Sequence, residues 1–77
     1  MIIDVILGVN MDTEMWITEL MANKAEMITV LDFDYFGEPK IVNNVTYISA
    51  FDLKKLIKNY DKVYFYKSIY FYPILRD

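Results

Sequence analysis

Residues 62–72 read Lys-Val-Tyr-Phe-Tyr-Lys-Ser-Ile-Tyr-Phe-Tyr, a run dominated by β-branched and aromatic side chains. Successive side chains of a strand point to opposite faces, so the run separates into two surfaces of different chemistry. Val63, Phe65, Lys67, Ile69 and Phe71 share one face, and Tyr64, Tyr66, Ser68, Tyr70 and Tyr72 share the other. The first face reads as core, because Val, Ile and Phe have no polar atom to satisfy and gain roughly 1.5–3 kcal/mol each on full burial. Lys67 interrupts it, which a bulge at Lys67-Ser68 or an edge position with the ammonium in water would accommodate. The second face is a row of four tyrosines, each an apolar ring carrying a hydroxyl that needs water or a partner. Two roles stay open for that row: a docking surface, or core filling with the hydroxyls at the rim.

Immediately upstream, residues 49–60 give a helical signal. Ser49 stands as N-cap with Asp52 three positions on, and Leu53, Leu56, Ile57 and Tyr60 follow at helical spacing. Lys54, Lys55 and Lys58 fall toward the solvated side and the negative end of the helix dipole. Before this helix, residues 27–36 alternate as a strand, Gly37-Glu38-Pro39 marks a turn, and residues 40–50 form a further strand. Asn43-Asn44 in its middle can also make the bend of a tight hairpin, dividing it into Ile41-Val42 and residues 45–48.

At the start of the chain, residues 2–9 are a near-continuous apolar run ending in Gly8-Val9-Asn10, which reads as a strand buried on at least one face. Ile3, Val5, Leu7 and Val9 share one side, and Ile2, Asp4 and Ile6 the other. Asp4 is expected near an edge or opposite a donor. Residues 12–25 read as a helix capped by Asp12 or Thr13, although Met15, Trp16, Ile17, Leu20, Met21 and Ala22 spread around the wheel and Trp16-Ile17-Thr18 would also suit a strand. Trp16 is either a core residue or an oligomer contact.

The resulting order, strand-helix-strand-strand-helix-strand, predicts one α+β domain over residues 1–77. The expected arrangement is ferredoxin-like (βαββαβ), with two helices on one face of a small antiparallel sheet and the last strand at an edge beside the first. The alternative is an α+β meander with an extra hairpin at Asn43-Asn44.

Composition bounds the function. A chain of 77 residues builds a thin core, and its 56% apolar content favours burial of some surface between subunits, with a homodimer as the simplest case. Neither cysteine nor histidine occurs, which removes disulfides and the usual structural zinc sites. The net charge of −3 and the single arginine, Arg76, argue against a nucleic-acid surface. No basic leader precedes the first apolar run, and no run reaches the ~20 apolar residues that span a bilayer, so a cytoplasmic protein without membrane contact is expected.

Catalysis finds one foothold, Asp32 and Asp34, which on a single strand face would stand about 7 Å apart and hold Mg²⁺ or Mn²⁺. Alternating acids also keep a sheet face soluble, and no Gly-rich phosphate loop accompanies them. The expectation is therefore a non-catalytic protein without a cofactor. Its partner would be a protein with a basic surface, met by Tyr64, Tyr66, Tyr70 and Tyr72 with Asp32, Asp34 and Glu38 as electrostatic complement. A self-assembling structural or regulatory subunit is the alternative, and a metal-dependent enzyme using Asp32 and Asp34 the third. Ile, Lys, Asn, Tyr, Phe and Met make up half the chain, a bias of low-GC genomes. In size, acidity and coding bias the chain resembles phage-encoded accessory proteins, among them anti-CRISPR and other anti-defence inhibitors. That resemblance implies action by occupying a functional surface of a host protein.

Overall fold

The computed structural model describes residues 2–67. They form β1 (Ile2–Leu7), α1 (Thr13–Ala22), β2 (Ile28–Asp32), β3 (Lys40–Val42), β4 (Val45–Ser49), a single 3₁₀ turn (Ala50–Asp52), α2 (Leu53–Ile57) and β5 (Lys62–Lys67). The content is mixed α+β, a five-stranded sheet with two helices. The strand order is β3-β4-β2-β1-β5. β1 pairs in parallel with both β2 and β5, β2 pairs in parallel with β4, and only β3 runs antiparallel, against β4.

This corrects the ferredoxin-like expectation. The sheet is mostly parallel, and its helices cover opposite faces. Ile17 and Leu20 of α1 pack with Ile6, Ile28, Val30 and Val45, whereas Leu53 and Leu56 of α2 pack on Ile3, Val5, Leu31 and Ile48. The physical cause lies in β1 and β2, whose central residues are buried without alternation, as strands covered on both sides must be. The chain steps sideways from β1 to β2 and β4, then returns across the sheet to lay β5 on the other side of β1. Crossovers of one hand that travel in opposite directions put their helices on opposite faces. The placement of β5 at an edge beside β1 agrees with the expectation, although the topology that produces it is different.

Local signals correspond more closely to the structure, although the helix expected over residues 49–60 is a 3₁₀ turn (Ala50–Asp52) followed by the five-residue α2 (Leu53–Ile57), with Asp52 at the N-cap of α2. Asn43 and Asn44 have φ of 50° and 67°, the two left-handed residues of a tight hairpin turn, so the extra hairpin exists within a sheet that is not a meander. Ser49 Oγ accepts from Phe51 N at 3.3 Å, capping the 3₁₀ turn that leads into α2. On α1, Thr13, Trp16, Ile17 and Leu20 lie at helical spacing toward the sheet, while Met15 and Met21 remain exposed, which accounts for the spread of apolar residues around its wheel. The helix stops at Lys24, φ 59°, where Ala25 N donates to Leu20 O and Lys24 N to Met21 O, the paired bonds of a left-handed C-terminal cap.

Candidate functional site

Two surfaces bring chemistry-bearing side chains together. The first lies on the α1 face, where the in-register pairs Asp4–Tyr64 and Ile6–Tyr66 join β1 to β5. Asp4 is only 6% exposed, and the Tyr66 hydroxyl donates to its Oδ1 at 2.7 Å. Burial, followed by the hydrogen bond and negative charge of Asp4, pushes the Tyr66 phenol up to about 12. The Trp16 ring from α1 meets Tyr66 with centroids 5.0 Å apart and planes tilted by 47°. Its indole Nε1 is buried and meets no acceptor among the described residues. A cleft of about 480 Å³ opens beside these groups, and Glu19, Lys24 and Glu26 also line it.

The second surface is the end of the sheet where β1, β2 and β4 finish. A crevice outside the carboxyl ends of parallel strands, next to the point where strand order reverses, is where open sheets of this kind take ligands. Here β1 gives way to Gly8, whose φ of 93° turns the chain, and a β-carbon there would come 3.6 Å from the Phe33 ring. Asn10 Oδ1 accepts from Asp12 N, and Thr13 Oγ1 accepts from Asn10 N while donating to Gly8 O, so the loop into α1 is internally bonded. With Asp12 at the cap and Glu14 in the first turn, this helix start repels a phosphate that a bare one would attract.

The rest of this end is apolar and exposed. Phe33 and Phe36 follow β2, Phe51 follows β4, and Met11 lies in the loop after β1, with exposures of 57, 70, 81 and 82% in that order. The Phe36 and Phe51 rings touch, centroids 5.8 Å apart, so the loops after β2 and β4 meet. Asp32 and Asp34 flank Phe33 in the chain, and Glu38 lies two positions after Phe36 between β2 and β3. Lys40 is drawn aside, its ammonium over the rings of Tyr35 and Tyr47. Burial, then the negative charges of Glu14 and Asp32, raise the Tyr47 phenol above its ordinary value.

The predicted binding set is therefore divided. Asp32, Asp34 and Glu38 belong to the sheet end, Tyr64 and Tyr66 to the α1 face, and Tyr70 and Tyr72 lie outside the described residues, as does Ser68 of the proposed bulge. Asp32 and Asp34 do not share a strand face. β2 ends at Asp32, whose Oδ1 accepts from Asp34 N at 3.0 Å, so the pair forms a turn and the geometric basis for a shared cation is lost. No group of three or more acidic side chains is arranged to hold a metal among the described residues. Phe65, expected in the core, is half exposed, because α2 covers Val63 and leaves the edge beyond it bare.

Sequence reasoning missed the aromatic sheet end. The strand read over residues 27–36 takes in Phe33 and Phe36, and the helix read over residues 49–60 takes in Phe51. The available signal was Asp32-Phe-Asp34, in which the first carboxylate can close a turn two residues on and end the strand. No protein-family model, no curated protein and no solved structure matches this chain.

Proposed function

We propose that this domain is a non-catalytic protein-binding module whose working surface is the carboxyl end of its sheet. The observation that carries the reading is the exposed pair of touching rings, Phe36 and Phe51, with Phe33 and Met11 also exposed in the loops at this end, Asp32 at the end of β2, and Asp34 and Glu38 in the same loop as Phe33 and Phe36. Aromatic residues and methionine are the types enriched at the centre of protein interfaces, and exposed apolar surface of this kind is costly unless something covers it. The acids ask for a basic rim around the partner's own apolar contact. Phosphate-bearing ligands are disfavoured by Asp12 and Glu14 at the start of α1. In a viral setting this module acts as an inhibitor, of the anti-CRISPR or other anti-defence type, by covering a basic functional surface of a host protein.

Affinity capture from the native host, compared between wild type and Phe36→Ser/Phe51→Ser, tests the proposal. A captured protein that is lost with the double variant, and whose retention weakens as salt rises, supports it. Recovery of the bait alone, together with light scattering that shows a dimer dissociated by the same double variant, would replace it with self-assembly through this end.

A further inference from the structure

The cleft between α1 and β5 has a chemistry different from that of the sheet end. Three carboxylates line it, those of Asp4, Glu19 and Glu26, against one ammonium, that of Lys24. Asp4 is more than nine-tenths buried yet borders the open space, so its charge faces a region partly shielded from water. The walls are aromatic and apolar: Trp16, Tyr64 and Tyr66, with Leu20 and Ala25. Glu26 is anchored, its Oε2 accepting from Ile2 N at 2.8 Å, and Asp4 is held by Tyr66, so two of the three carboxylates are pre-positioned. The Trp16 Nε1 hydrogen is buried and has no acceptor among the described residues.

From this arrangement we infer that the α1–β5 cleft binds a small organic ammonium ion. Ring faces attract a soft, weakly hydrated cation, and the carboxylates supply the countercharge. An anion meets three carboxylates and is excluded. A bare divalent metal ion would need oxygen ligands converging on one point, which these residues do not offer. The volume of about 480 Å³ lies in the range of small-molecule sites rather than of peptide grooves. Tyr64, exposed on the β5 edge, forms the outer wall, so its side chain can be altered with little loss of buried surface.

Trp16 is the only tryptophan in the chain and reports on the cleft directly. The test is titration of its fluorescence with choline at constant ionic strength, with sodium chloride as blank and the uncharged dimethylbutanol isostere, carbon replacing nitrogen, as control. A saturable change with choline is expected, with affinity about tenfold weaker for the isostere and for Tyr64→Ala, the size of one cation–ring contact. Glu19→Gln and Asp4→Asn should weaken it as well, circular dichroism confirming that each variant folds. Equal binding of choline and isostere, an unaltered Tyr64→Ala, or no saturable signal at all would each overturn the inference. Because none of these residues belongs to the sheet end, the outcome is independent of the partner proposal above.

Discussion

Tyr66→Phe removes one oxygen atom, and the structure sets what that should cost. The hydroxyl donates to Asp4 Oδ1 at 2.7 Å, a short O–H···O contact of the charge-assisted kind. Hydrogen bonds to charged groups contribute about 1.5–3 kcal/mol, and because Tyr66 is half-buried, water competes and the value falls to the bottom of that range or just below it, about 1–2 kcal/mol. The loss is asymmetric. Asp4 is 6% exposed and keeps its desolvation cost without its donor, whereas removing Asp4 leaves a tyrosine hydroxyl that can turn to water. Urea denaturation at neutral pH, followed by Trp16 fluorescence, should show a midpoint lowered by about 1–2 M, given a slope near 1 kcal/mol/M for a small domain. A double-mutant cycle with Asp4→Asn should return a coupling of about 1 kcal/mol. A Tyr66→Phe midpoint within about 0.3 M of wild type and a coupling near zero would show that β5 is held to β1 by its backbone ladder alone, and the account of the Asp4 environment would be wrong.

Two further outcomes follow from the same structure. The Tyr66 phenol is pushed up to about 12 from an unfolded value near 10, so the native state holds its proton more tightly; the associated stability is present below pH ~10 and is lost as pH rises toward ~12, and Tyr66→Phe should flatten that alkaline limb in urea titrations. At the β3–β4 turn, Asn44 has φ 67°, so Asn44→Gly should stabilise by up to about 0.5 kcal/mol and Asn44→Val destabilise by about 1 kcal/mol or more, read as opposite shifts in melting temperature.

The chain's own residues determined its local structure. The alternation of β1 puts Ile3 and Val5 on one side and Asp4 and Ile6 on the other, and of the two settings open to Asp4, near an edge or opposite a donor, the structure has the second, on a strand inside the sheet and bonded to the Tyr66 hydroxyl. Asn43-Asn44 and the Ser49 cap are likewise legible, as is a helix after β1, although it spans Thr13–Ala22 rather than residues 12–25, because turn chemistry, capping and helical spacing act over a few residues. Which strands pair, and in which direction, was decided only by tertiary structure. The bond between Tyr66 and Asp4 spans 62 positions, and nothing local specifies it. A near-continuous apolar strand is equally content between two helix layers of a parallel sheet or at the heart of an antiparallel one, so the topology had to come from global packing. The same holds for the candidate site: Met11, Phe33, Phe36 and Phe51 come from three separate loops, and these loops share one end of the sheet, with the Phe36 and Phe51 rings in contact, only because β1, β2 and β4 run in the same direction.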